Sequence, residues 1–165
     1  MPTADLSIIL RTEPRPSDVP AVRDIVTSTG FFSPEEIGVA VELLEDRLAN
    51  GSASHYAFLF ADDDQGRPLG FASFGRIAGT VHSFDLYWIA VRDDHRGSGI
   101  GTRLLAEAER LIAREGGVRV YAETSSRDLY EPTRQFYLAR GYRVDAVQDD
   151  FYALGDAKVT LVKAL

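Results

Sequence analysis

The glycines at positions 97, 99 and 101 of HRGSGIGTRLL, with Arg96 ahead of them, are the residues whose type and spacing speak most directly of chemistry. Glycine has no side chain to hold a ligand away, so successive backbone N–H groups can close around anionic oxygens. A helix starting at once behind the loop adds its first-turn donors and the positive end of its dipole. The run from Tyr87 to Leu105 has that order: an apolar strand, a charged loop, the glycines, then an amphipathic helix. It implies a receptor for a pyrophosphate, and so a phosphorylated cofactor. Arg92, His95, Arg96 and Arg103 gather positive charge around the loop, although any one of them alone would read as a solvated surface charge. Ser98 lies within the loop but in no GxSxG elbow, so its amide and hydroxyl suit a phosphate better than an acyl group. The glycines do not form GxGxxG and no GK[ST] ending follows, which argues against a Rossmann fingerprint and a Walker loop.

Other chemistry finds less support. His55, His82 and His95 are scattered, none at a metal-ligand spacing from a carboxylate. Asp62, Asp64 and Gly66 echo the start of a calcium loop, but Ser73 stands where the closing glutamate belongs, so a turn is expected there and no metal. The sequence has no cysteine, which removes disulfides and thiolate chemistry. A net charge of -7 disfavours a nucleic-acid partner, which needs a basic face, and suits a cationic small molecule or peptide. The first residues, MPTADLSIILRTEPRP, hold too short an apolar run for a signal peptide or a membrane span, so a cytoplasmic protein without a membrane partner is expected.

The elements that must position the glycine loop can be read along the 165 residues, which are 45% hydrophobic and 26% charged and are expected to form one domain, 1–165. Leu6 to Arg11 reads as a first strand, closed by Pro14 and Pro16. A helix capped by Ser17, with Val22, Ile25 and Val26 as its apolar stripe, ends at Gly30, and a second opens at Ser33–Pro34 and carries Ile37, Val41, Leu44 and Leu48. Phe31 and Phe32, between the two helices, suit packing or recognition. His55 to Ala61 and Leu69 to Ile77 form a hairpin across DDDQGRP, and a longer strand, Val81 to Val91, leads into the glycine loop. The helix behind the loop, from about Gly99 to Glu115, is cut by Gly116 and Gly117. It makes the next strand, Val118 to Thr124, parallel to its predecessor. A short helix follows through Arg140, with Asp128 and Glu131 at capping-box spacing, and Gly141 ends it. Arg143 to Val147 and Lys158 to Val162 are the last strands, joined by QDDFYALGDA, a connection too long for a tight turn.

The strand LYWIAV followed by RGSGIG, and QFYLARGY downstream, resemble the GCN5-related N-acetyltransferases (GNAT family). Arg96, Gly99 and Gly101 meet the family's cofactor signature, and Phe136, Tyr137, Gly141 and Tyr142 meet its second signature. The resemblance implies an α+β fold with a mixed, mostly antiparallel seven-stranded sheet, a central parallel pair and about four flanking helices. It implies acetyl-CoA as co-substrate, the pantetheine arm held by the backbone of Ile89, Ala90 and Val91, and the pyrophosphate held by Arg96, Gly97, Ser98, Gly99, Ile100, Gly101 and Thr102. It also makes Tyr137 the proton donor to the departing thiolate. Where many members carry Asn and Ala seven and four residues before that tyrosine, this chain has Tyr130 and Thr133, expected on the same helix face as Tyr137.

An amine of pKa about 10.4 is mostly protonated at neutral pH, so its attack on a thioester needs a base. Glu123, at the carboxyl end of the fifth strand, and Asp85, on the strand face shared with Tyr87 and Ile89, are the candidates, and the residues do not choose between them. Asp149 and Asp150 would attract a cationic acceptor. The expected activity is N-acetyl transfer to a primary amine, of a small molecule or an amino terminus; a module that binds acyl-CoA without turnover is the alternative. The terminal strands could support a homodimer.

Overall fold

The computed structural model describes residues 7–165, so the expected strand start at Leu6 lies outside the described residues. Seven strands, β1 (Ile9–Arg11), β2 (Ala57–Asp62), β3 (Pro68–Arg76), β4 (Ser83–Val91), β5 (Arg119–Ser125), β6 (Arg143–Ala153) and β7 (Asp156–Ala164), alternate with four α-helices. These are α1 (Asp18–Ser28), α2 (Pro34–Asn50), α3 (Ile100–Arg114) and α4 (Glu131–Leu138). The strand order is β1-β2-β3-β4-β5-β7-β6. The sheet is mostly antiparallel, and β4 and β5 are its parallel pair, as the intervening α3 requires.

Contacts group the chain into two compact units, one running to Gly75 and including Trp88–Leu111, the other made of Arg76–Tyr87 and Ile112–Leu165. In the first unit α1 supplies Val22, Ile25 and Val26 and α2 supplies Ala40, Val41 and Leu44 to a core shared with Phe58, Phe60, Phe71 and Ala90. The rings of Phe58 stack on Phe60 and Phe71 at 5.9 and 6.1 Å. The helix α2 opens at Ser33–Pro34 as expected: the Ser33 Oγ accepts from the Glu36 N–H at 3.2 Å and donates to the Glu36 carboxylate at 3.4 Å. At α1 the expectation fails. Ser17 makes no side-chain cap, and the buried Asp18 instead accepts from the Arg15 N–H at 2.7 Å and from Arg11.

Arg11 is the polar hub of this unit. Its guanidinium donates to both Asp18 oxygens at 2.9 Å and to Asp62 at 2.7 and 3.2 Å, and it lies 4.6 Å from the centroid of the Phe60 ring. Asp62 is therefore an ion-pair partner, while Asp63 closes the hairpin turn by accepting from the Gln65 and Arg67 N–H groups. These bonds give the turn expected of DDDQGRP.

In the second unit β5 and β7 run in register from Arg119↔Ala164 to Ser125↔Lys158, and β6 adds to the outer side of β7. The last hairpin departs from the sequence expectation. The strand β6 continues to Ala153 and the turn to β7 shrinks to Leu154 and Gly155. A bulge between Gln148 and Ala153 absorbs the residues that break alternation. Asp150 sits there at φ 55, its carboxylate accepting from the Gly155 N–H at 2.7 Å. Every residue of β6 is exposed.

The hub predicts a stability effect. Arg11→Met strands two buried carboxylates and is expected to lower unfolding free energy by about 3 kcal/mol in urea denaturation at neutral pH.

Candidate active site

Above the first unit's core, β4 ends at Val91 and the chain passes through a 3-10 turn, Asp93–His95, into the glycine loop. Gly97 and Gly99 adopt φ of 73° and 85°. A Cβ on either would meet nothing within 4 Å, so backbone conformation rather than space selects glycine here. The Arg103 N–H donates to the Gly99 carbonyl at 3.1 Å, making Gly99 the cap of α3. The amides of Ile100 and Gly101, in the first turn, then lack intrahelical acceptors. The loop is anchored at its start by the Asp93 N–H, which donates to Ser28 Oγ at 3.1 Å, and within itself by Ser98 Oγ, which donates to the His95 carbonyl.

The basic cluster expected around the loop is largely neutralised from within. Arg92 and His95 both hold Asp94, at 3.3 and 2.9 Å, and Arg96 reaches Asp93 at 3.4 Å while lying 4.8 Å from the centroid of Phe31. Those bonds keep the Asp94 carboxyl below the usual carboxylate range, the His95 contact contributing most. What the loop offers an anion is chiefly its amides and the start of a long helix. Phe32 packs against Trp88 at 4.8 Å, so one member of the aromatic pair serves the core and the other lies beneath Arg96.

A residue that the sequence reading passed over sets the height of this loop. A Cβ on Gly70 of β3 would lie 2.9 Å from the Ala90 carbonyl oxygen, 3.1 Å from Leu104 and 3.3 Å from Ile100. Only glycine lets the first turns of α3 sit so close to β3. The Ala90 carbonyl thus faces β3, as does the Arg92 N–H, which donates to the Leu69 carbonyl at 2.8 Å. By strand alternation the backbone groups of Ile89 and Val91 turn to the opposite edge of β4.

The second unit carries the expected acid and base residues. Phe84 and Leu86 are buried on one face of β4, leaving Asp85 on the other, opposite Tyr121 of β5 in the parallel ladder. Glu123, two residues beyond Tyr121, shares that face, so the two carboxylates are diagonal neighbours. Their surroundings differ. Glu123 is half exposed and pairs with Lys158 Nζ at 3.7 Å. Asp85 is pushed up to about 6, by its own desolvation first and by the Glu123 charge second, with Lys158 opposing. A carboxyl at that value exchanges protons close to neutrality.

Tyr137 is buried, 5% exposed, and its ring packs edge-on against Phe136 and Tyr142 at 5.4 and 5.2 Å. Burial pushes its phenol above the usual tyrosine range, so it stays protonated. The backbone shows why glycine and an aromatic follow. The Tyr142 N–H donates to the Tyr137 carbonyl at 3.1 Å and the Gly141 N–H to that of Leu138 at 3.3 Å, with Gly141 at φ 92°. This is a Schellman ending, whose usual apolar contact is here the Tyr137–Tyr142 ring pair. At its other end α4 lacks the expected capping box: Glu131 engages Arg134 and Gln135 of its own helix. Tyr130 belongs to a 3-10 turn, Asp128–Tyr130, so only Thr133 lies on the helix with Tyr137. Arg134 holds α4 to the end of β5, donating to the carbonyls of Ser125 and Arg127.

Residues 54–144, more than half of the chain, match the family model of the acetyltransferase (GNAT) domain. The chain is 40% identical to a GNAT-family protein of known structure from Desulfovibrio desulfuricans, with a TM-score of 0.93 over 96% of this chain and 99% of that one. It is also similar to aminoglycoside 6'-N-acetyltransferase from Enterococcus faecium, at 22% identity and TM-score 0.73 over 94% and 96% of the two chains. A third likeness is to the PaiA N-acetyltransferase from Thermoplasma acidophilum in complex with coenzyme A, at 21% identity and TM-score 0.73 over 97% and 100%. The last two speak to the fold alone. No curated protein matches the chain. Among the described residues no helix is long and apolar enough to cross a membrane.

Two outcomes follow from this geometry. Gly99→Ala forces a side chain into the left-handed region at the cap of α3 and is expected to lower unfolding free energy by about 1 kcal/mol in urea denaturation, with the circular dichroism spectrum retained. Because the Asp85 carboxyl binds its proton more tightly folded than unfolded, it favours the folded state below about pH 4 and loses that advantage as pH rises through about 6. Asp85→Asn should therefore raise Tm at pH 8, with the gain fading as pH falls below 6.

Proposed function

Because the chain belongs to the GNAT family of acetyltransferases, we propose that it moves the acetyl group of acetyl-CoA to a primary amine, of a small molecule or an amino terminus, by direct attack in a ternary complex. The observation that carries the reading is the Arg96–Gly99 loop, with Gly97 and Gly99 at positive φ opening the fifteen-residue helix α3. Amides so aimed, with the helix dipole behind them, suit the pyrophosphate of a coenzyme; Arg96, Gly97, Ser98, Gly99, Ile100, Gly101 and Thr102 are the residues assigned to it. The coenzyme A named with a structural neighbour supports the same reading.

Bound acetyl-CoA supplies an activated acyl group as its thioester. The segment Ile89–Ala90–Val91 takes the pantetheine arm, and Ile89 and Val91, with backbone groups turned from β3, are suited to bond its amides and to polarise the thioester carbonyl. Asp85 accepts the proton of the acceptor ammonium, freeing its nitrogen lone pair for the carbonyl carbon. Its raised pKa supports this role over Glu123, which is half exposed and paired with Lys158. Tyr137, neutral at physiological pH, donates its proton to the sulfur as the carbon–sulfur bond breaks and regains one from the acceptor nitrogen, which sheds its second proton as it becomes an amide. The net charge of -7 favours a cationic acceptor.

Release of free thiol from acetyl-CoA across a panel of amines tests the proposal. Turnover should fall as pH drops below about 6, and Tyr137→Phe should lower kcat about a hundredfold without changing coenzyme A affinity. Tight coenzyme A binding with no thiol release on any amine would instead make the protein a non-catalytic acyl-CoA module.

A further inference from the structure

Lys158 lies on the face of the second unit that carries both carboxylates. It registers opposite Ser125, and Glu123 opposite Thr160, so Asp85, Glu123 and Lys158 step diagonally across β4, β5 and β7. The ammonium is fixed from two directions: Glu123 Oε1 lies 3.7 Å away and the centroid of the Phe151 ring 4.2 Å away. Its side chain is only 16% exposed, whereas Glu123 is 50% exposed, so the lysine is the anchored partner. Asp85 has no ion-pair partner among the described residues. The titratable groups facing it from the neighbouring strands are Tyr121 and Glu123 of β5 and Lys158 of β7, and Gln148 of β6 registers opposite Lys158 without adding charge.

We infer that Lys158 is a positioning residue for the transfer proposed above: anchored by Glu123 and the Phe151 ring, it sets its ammonium on the face that carries Asp85, so that two fixed opposite charges govern how Asp85 takes the proton leaving the acceptor. The inference rests on the reading of Asp85 as base. In the step one N–H bond of the ammonium breaks and one O–H bond forms on Asp85, while Glu123 and Lys158 keep the protons they have. Two charges then tune one carboxyl in opposite senses. Glu123 disfavours ionised Asp85 and Lys158 favours it.

Carboxyl carbon NMR titration of the whole protein, assigned with Asp85→Asn, reads this coupling without any acceptor. Lys158→Met should move the Asp85 titration upward by about half a pH unit or more, and Glu123→Gln should move it downward by a similar amount. Lys158→Arg, which keeps the charge, should leave it in place. Once an acceptor is in hand, the acid limb of kcat/KM should move with the same signs. An Asp85 titration that is unchanged in Lys158→Met overturns the inference, whatever happens in Glu123→Gln, to stability or to kcat. Survival of the acid limb in Asp85→Asn would overturn the assignment of the base itself, and the inference with it.

Discussion

The alternation of side chains along β4 is the constraint on which the chemistry depends. Phe84, Leu86 and Ala90 turn inward, and the period of two that buries them puts Asp85, Tyr87 and Ile89 on the other face. A slip of one residue would bury a carboxylate and expose phenylalanine, so the apolar face also fixes the position of Asp85. The same period decides which backbone groups meet β3. Ala90 and Arg92 are committed there, leaving those of Ile89 and Val91 to the opposite edge.

The protein deals with paired carboxylates in two ways. At Arg11 a planar guanidinium with several donors bonds Asp18 and Asp62 together, and both acids are fully engaged. At Lys158 a single ammonium meets two acids and reaches only Glu123. The first arrangement is structural, joining β1, α1 and β2. The second leaves one acid with a raised affinity for a proton, a property of use in proton transfer and of none in holding a fold together.

What could be read from the sequence was local. The glycine loop, the Ser33–Pro34 helix start and the Gly141 helix stop each depend on residues within a turn of one another, and each lies where its spacing indicates. The GNAT resemblance of RGSGIG and QFYLARGY agrees with the family of the chain. The rest depended on partners distant along the chain. Asp18 reads as a first-turn acid because nothing nearby announces Arg11 and Asp62. Lys158 and Glu123 meet only through the β5–β7 register, and Gly70 is an unremarked strand glycine until α3 lies over it. QDDFYALGDA was misread for a related reason. Polar residues and a break in alternation imitate a loop, yet the bulge at Asp150 lets the strand run through them.

The seat beneath α3 also has a mechanical side. With no room for a Cβ between Gly70 and the Ala90 carbonyl, Ile100 and Leu104, the first turns of the helix rest closely on the sheet. The approach to that helix, from Asp93 to Gly99, is held by one hydrogen bond to Ser28 and by exposed ion pairs, interactions that give way readily. The glycine loop thus joins a closely packed floor to a rim held by few bonds, so a shift of the rim need not disturb the seating of the helix.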